Sequence, residues 1–338
     1  MRGIQPADQA MVNINYQQIC GELLSQLPPK QREVIERRFG LKTGERETLE
    51  AIGKSHRICR ERVRQIEKVS LAKMKKTASR YKDAWKSFAK HLKAFGGVRE
   101  ENSLLEDLGG KEFRAHAYFL LTLSGEFLRT SESEDYQSFW SLDSESTNAA
   151  KNFIALSHAK LMEANKLIPA KELAALSGLK KAVAESYLGV SKKVQKNSEG
   201  LYGLRDWPEV SPKGVKDRIY LLFKKNQKPL HFTDVAGKIE GSLVQTVHNE
   251  LIRDKRFVLI GRGIYALKEW GYVEGDVKDV ILNIFNNENR PLTKEEILNR
   301  VMKQRLIKEN TVLMNLSNKK FFSRDNEGRY RRSNVQEA

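Results

Sequence analysis

Residues 202–207 read Tyr-Gly-Leu-Arg-Asp-Trp, and 63 positions later residues 265–270 read Tyr-Ala-Leu-Lys-Glu-Trp. Val215-Lys216-Asp217 returns as Val277-Lys278-Asp279, and Pro229-Leu230 as Pro291-Leu292, both 62 residues on. Thr246-Val247 with Leu251 returns as Thr311-Val312 with Leu316 after 65 residues, and Tyr330 follows Tyr265 by the same interval. A period of this size means that one supersecondary unit is used several times, which limits the architecture more than any local propensity does.

The best-defined copy spans residues 213–271. Apolar periodicity predicts a first helix over 215–225, a short second helix over 233–239 after Pro-Leu, and a third over 243–254. Residues 256–260 and 264–267 are β-rich runs, and Gly261-Arg262-Gly263 between them marks a hairpin. Three helices and a two-stranded wing make a winged helix. Residues 150–208 and 276–333 read as weaker copies, and 85–145, with Phe139-Trp140 near its end, as a degenerate acidic one. The expected fold class is therefore mainly α.

A second pattern lies ahead of the repeats. Residues 59–67 read Cys-Arg-Glu-Arg-Val-Arg-Gln-Ile-Glu, with Thr48-Leu49-Glu50-Ala51-Ile52-Gly53 eleven residues before and a bend over 55–58 between them. At 3.6 residues per turn Val63 and Ile66 join Leu49, Ile52 and Ile58 in one apolar seam. Arg60, Arg64 and Glu67 project elsewhere, beside Glu61, Gln65 and Lys68. Arg binds guanine bidentately, Gln pairs with adenine and Glu accepts from cytosine, so this helix carries the side chains a major-groove reader needs. Gly53 suits a close helix crossing. Leu27-Pro28-Pro29 opens a preceding helix with Val34, Ile35 and Phe39 inward, and Gly40 ends it.

At 338 residues the chain needs more than one domain, and its formal charge of +17 points to a polyanionic partner. The charge is segregated: residues 27–93 hold 20 Lys and Arg against 8 Asp and Glu, whereas residues 100–150 hold 3 against 11. The acidic block is expected to face solvent or protein rather than DNA. Cys20 and Cys59 form neither a disulfide framework nor a zinc pattern and suit a reducing compartment. Met1-Arg2-Gly3 opens no signal peptide, and the apolar run over 117–123 is too short to span a bilayer. The expectation is a soluble cytoplasmic protein with no membrane contact.

The ordered motifs LPPKQREVIERRFGL, GERETLEAIG and RERVRQIE over 27–76 resemble the fourth conserved region of the sigma-70 family of bacterial RNA polymerase factors. The family's domain reads the −35 promoter element and grips the flap of the polymerase β subunit through apolar surface. The resemblance implies base contacts from Arg60, Glu61, Arg64 and Gln65. It implies phosphate contacts from Lys30, Arg38, Thr48 and Leu49, the last through its backbone N–H. It also implies a head over 27–82, double-stranded DNA and polymerase core as partners, and a nucleoid-associated place in a bacterial cytoplasm. Two positions depart from the family pattern. Arg57 stands where glycine is common, so a positive φ is expected at a cost of about 1 kcal/mol; Cys59 replaces the usual Ser or Thr N-cap. Residues 1–26 hold one aromatic, Tyr16, so no base-capturing melting domain is expected ahead of the head.

HFTDVAGKI and RFVLIGRGIYALKEW resemble the HARE-type winged helix, also found at the start of the bacterial polymerase delta subunit. Two readings stand for these modules. In one, Gln245, His248, Asn249 and Arg253 enter a groove and Arg262 at the wing tip reaches a phosphate or the minor groove. In the other, the modules bind protein. Tyr202, Trp207, Tyr265 and Trp270 read as core packing, and Arg329–Arg332 as a basic tail that either adds nonspecific phosphate affinity or is simply solvated. The six histidines lack ligand spacing, and the chain shows no phosphate loop or nucleophile elbow. Neither catalysis, nor a cofactor, nor a metal, nor a small-molecule substrate is expected. The reading is a transcription regulator that recruits or redirects polymerase, with two alternatives: an independent DNA reader, or a delta-like scaffold on polymerase.

Overall fold

The computed structural model describes residues 14–333, which form two compact units meeting in sequence between Asp206 and Trp207. Both are mainly helical with small antiparallel sheets.

The first unit begins with α1 (Tyr16–Ser25), capped by the Asn15 side chain, and α2 (Pro29–Phe39), which starts on Pro and stops at Gly40 with φ 70°. α3 (Leu49–His56) is N-capped by Thr48, whose hydroxyl accepts from Ala51 N. α4 (Arg60–Ala78) follows at once and runs eleven residues past Glu67. A 3-10 turn, Ser79–Tyr81, leads into α5 (Lys82–Ala94), β1 (Val98–Glu100), α6 (Glu101–Gly109), α7 (Arg114–Ser124), β2 (Leu128–Thr130) and β3 (Phe139–Ser141). The strands stack β1-β3-β2, with Arg99 and Arg129 flanking Trp140 in register. α8 (Ser144–Ala164), β4 (Ile168–Pro169), α9 (Ala170–Ala175), α10 (Lys181–Val190), β5 (Val194–Lys196) and β6 (Leu201–Leu204) complete the unit, with sheet order β4-β6-β5.

The second unit holds α11 (Gly214–Asn226), β7 (Leu230–His231), α12 (Phe232–Lys238), α13 (Val244–Arg253), β8 (Phe257–Gly261) and β9 (Ile264–Leu267), stacked β7-β9-β8. α14 (Val277–Glu288), α15 (Lys294–Gln304), α16 (Glu309–Leu316), β10 (Phe322–Arg324) and β11 (Tyr330–Arg332) follow. A single bridge, Leu292 to Tyr330, stands where the other copies have their first strand.

The order helix, strand, helix, helix, strand, strand thus occurs three times, from α5, α8 and α11 onward, and a fourth time from α14 with the bridge in place of the first strand. In the first three copies the expected two-stranded hairpin is corrected to a three-stranded sheet, because a short strand ahead of the second helix joins it, as Leu230 pairs with Tyr265 and Ile168 with Tyr202; the fourth sheet, β10-β11, keeps two strands. The first helices of the last three copies end alike, on Asn165, Gln227 and Asn289 with φ of 45°, 51° and 49°.

One apolar cluster in the first unit crosses the boundary expected between head and acidic copy. Leu27, Ile35, Phe39, Leu41 and Met74 share it with Phe88, Ala117, Phe119, Leu120 and Trp140. Phe119 meets Phe39 edge-on at 5.1 Å, and the Arg46 guanidinium lies over the Tyr118 ring at 4.1 Å. Most carboxylates of the acidic block are exposed, but two, Glu101 and Asp107, are drawn inward onto the chain's own cations. Glu101 is buried and accepts from Arg129 and from Trp140 Nε1, while Asp107 accepts from Arg99 and contacts His91. Uncompensated carboxylates are costly to bury, and cations on neighbouring strands and helices supply the compensation. The third helices of the first two copies are buried too: α7 packs on α1, α2 and α4, and α10 packs on β1. Ser186 Oγ donates to Val98 O at 2.6 Å, and Tyr187 OH to Gly96 O at 2.7 Å.

Candidate nucleic-acid interface

The helix-turn-helix of α3 and α4 is built as its apolar spacing requires. Val34, Ile52 and Val63 are fully buried, with Leu49, Ile58 and Ile66 packed around them. Gly53 lies at the crossing: a Cβ there would stand 2.7 Å from Ile58 O, so any larger residue forces the turn apart. Arg57 takes φ 52°, and its N–H closes α3 on Lys54 O at 3.3 Å. Cys59 sits at the N-cap of α4 without a side-chain hydrogen bond. Both departures from the family pattern therefore have the consequences expected of them.

Arg60, Glu61, Arg64 and Gln65 all lie exposed on α4, opposite the seam. Arg64 donates to both Glu61 oxygens, at 2.8 and 2.6 Å, and these hydrogen bonds hold the Glu61 carboxyl below the usual carboxylate range. Gln65 Oε1 accepts from Arg62 Nη1 at 3.1 Å. Glu67 departs from its expected outward place. It is half-buried and pairs with Arg38 Nε at 3.4 Å, bracing α4 against α2.

Of the residues implied to hold phosphates, Lys30 is exposed at the start of α2 and Thr48 is exposed but committed to capping. Leu49 is the first residue of α3, where backbone N–H groups lack partners within the helix. Arg38 is half-buried, and besides Glu67 its Nη1 donates to Glu47 O at 3.0 Å. It holds the α2–α3 loop in place, which a sequence cannot reveal because the partners are 9 and 29 residues away. Arg37 has a similar post, donating to Glu47 at 2.8 and 2.7 Å.

In the second unit Gln245, Asn249, Arg253 and Arg262 are exposed, with Gln245 Nε2 donating to Asn249 Oδ1 at 3.2 Å. His248 is turned inward: its ring stacks on Phe232 at 4.4 Å and meets Tyr265 edge-on, so it packs α13 onto α12. α13 also exposes Val244 and Ile252, and its N-cap residue Leu243 is exposed as well. Tyr202 and Tyr265 are buried, and Trp270 packs half-buried on the core containing Phe223. In the basic tail Arg329 is tied to Asp325 and Glu327.

Among the described residues no cluster of three His, Cys, Asp or Glu side chains is arranged to hold a metal, and no helix is long and apolar enough to cross a membrane.

The model of sigma-70, region 4 matches residues 23–76. The chain is 40% identical over 70 residues to RNA polymerase sigma factor SigA of Clostridium acetobutylicum, covering 21% of this chain and 18% of that protein. It is 40% identical over 73 residues to RNA polymerase sigma factor SigA1 of Synechococcus elongatus, covering 22% and 18%. With RNA polymerase principal sigma factor HrdD of Streptomyces coelicolor it shares 35% over 71 residues, 21% of each. The chain spans about a fifth of the length of these relatives.

Proposed function

We propose that the protein is a DNA-binding transcription regulator whose α4 reads a short duplex sequence of the −35 promoter type during initiation. The observation that carries the reading is the match over 23–76 together with the outward face of α4. The residues at its positions 60, 61, 64 and 65 are exposed, while the opposite face is fixed in the Val34–Ile52–Val63 seam. Such a helix meets base edges, and the first amides of α3 meet phosphate. The reading assigns no catalytic step, cofactor or metal to the chain.

The finer proposal is that the head recruits or redirects bacterial RNA polymerase. A flap contact through apolar surface would have to use a face other than that of Phe39 and Met74, which α7 covers. Val69, 58% exposed on α4, is the large apolar side chain that the described part of the head keeps outside.

We read the four repeats as winged helices with divided roles. The buried α7 makes the first copy a platform for the head, and the buried α10 braces the second copy against β1 of the first. The exposed Leu243 at the N-cap of α13, with Val244 and Ile252 on the helix, favours a protein partner for the third, in the manner of a delta-type scaffold. Enrichment of random duplexes on the full chain tests the first proposal; recovery of unrelated sequences alone contradicts it. Co-purification with core polymerase, with and without the β flap, tests the second; binding indifferent to the flap contradicts flap-mediated recruitment.

A further inference from the structure

Residues 68–99 contain ten Lys and Arg but one carboxylate, Asp83. α5 carries much of this charge. Ala84, Trp85, Phe88 and Leu92 lock one side of it into the core that also holds α2 and α4. Lys82, Lys86, Lys90 and Lys93 occupy about 80° of arc on the other side, at 100° per residue, and all four are exposed. Lys86 has an exposed contact with Asp83 at 3.1 Å, while Lys82, Lys90 and Lys93 have no carboxylate partner among the described residues. Arg290 and Arg300 in the last copy are, by contrast, paired with Glu296 and Glu288. Like charges at i, i+4 repel and weaken a helix, so an unpaired stripe is stabilised by an anion lying along it.

The charge also connects to the reading helix. Lys68 and Lys75 continue the line of Arg64 along α4, four and eleven residues on, and both are exposed. The buried apolar side of α5 leaves it nothing to insert into a bilayer, which disfavours a lipid surface.

We propose that the lysine face of α5 is a phosphate track, holding the backbone of duplex DNA that flanks the sequence read by α4. The proposal rests on the reading of the head as a DNA-binding element and extends its contact surface beyond the segment shared with sigma factors. Lysines supply point charge without base discrimination, so the track adds affinity and salt dependence and leaves sequence preference to α4.

The test compares the full chain with a K82Q/K86Q/K90Q/K93Q variant on random-sequence duplexes of about 15 and about 40 base pairs over a salt series. Circular dichroism checks that both are folded alike. The expected result is a slope of log affinity against log salt about 3 units shallower for the variant on the longer duplex, with weaker binding there. Equal slopes and affinities on the longer duplex overturn the track. Arg64→Ala in parallel separates the two ideas: if its base preference is unchanged while the lysine variant loses affinity, base reading fails and the track stands. Binding to anionic phospholipid vesicles but to neither duplex overturns the track in favour of a membrane.

Discussion

Glu61 and Arg64 hold each other on the outward face of α4 by two hydrogen bonds of 2.6 and 2.8 Å. The pair is exposed and one helical turn long, so it orders both side chains before any partner arrives and yields readily to a base. Arg64 exchanges one bidentate acceptor for another when it meets guanine O6 and N7. Glu61→Ala is expected to strengthen binding to all duplexes, by removing a negative charge from the phosphate-facing side, and to flatten preference at the position Glu61 reads. Competition binding with single-base variants of a selected duplex measures both effects.

The turn between α3 and α4 is stabilised by restoring what it lacks. Arg57→Gly relieves φ 52° at the end of α3, and Cys59→Ser supplies a side-chain oxygen to the N-cap of α4. Each substitution is expected to add about 0.5–1 kcal/mol. Denaturant midpoints at unchanged m-value check this; a loss of stability in either variant contradicts the account of the turn.

Gly53→Ala acts in the opposite direction. The new methyl would stand 2.7 Å from Ile58 O, and Ile58 cannot move away freely because its N–H donates to Gly53 O at 3.0 Å. Overpacking of this kind costs about 1–3 kcal/mol. Thermal unfolding of the variant is expected to begin earlier, with duplex binding reduced because α3 and α4 splay.

Much of the head was legible because its logic is local. The seam of Ile52, Ile58 and Val63 follows from helical periodicity, and the caps at Thr48 and Gly40 from residue type. The repeat likewise placed α11, α13 and the β8–β9 hairpin within a residue or two. What sequence spacing could not reveal depends on distant partners. Glu67 faces Arg38 rather than solvent, His248 stacks on Phe232, and β4 and β7 are too short to carry an alternating pattern. The docking of α7 on the head was hidden for the same reason. Phe119 and Phe39 are 80 residues apart, and neither shows by its type which surface it covers.

That docking predicts shared stability. Phe119 is fully buried in the cluster containing Phe39 and Met74, so Phe119→Ala is expected to cost about 3–5 kcal/mol. Because the core is continuous, the head should lose its structure with the α5–β3 copy, and amide exchange in α2 and α4 should rise with that in α6. Faster exchange confined to α6 and α7 contradicts a common core.

Acid stability carries a separate signature. Burial would raise the Asp107 carboxyl, but hydrogen bonds with His91 and Arg99 outweigh it and hold the group below its ordinary value. A depressed folded-state pKa stabilises above the unfolded value and is lost as pH falls through the folded one. In Asp107→Asn the stability of the first unit should therefore fall less steeply below about pH 4 than in the parent. Identical acid profiles from denaturant titrations contradict the assignment.

The central claim is that α4 reads bases, and Arg64→Ala on the full chain tests it most directly. After selection of a preferred duplex, the variant should bind it roughly 10- to 100-fold more weakly. Its affinity for duplexes changed at the base pair that Arg64 reads should be nearly unaltered. An equal loss on every duplex, or no loss on the selected one, would contradict the claim.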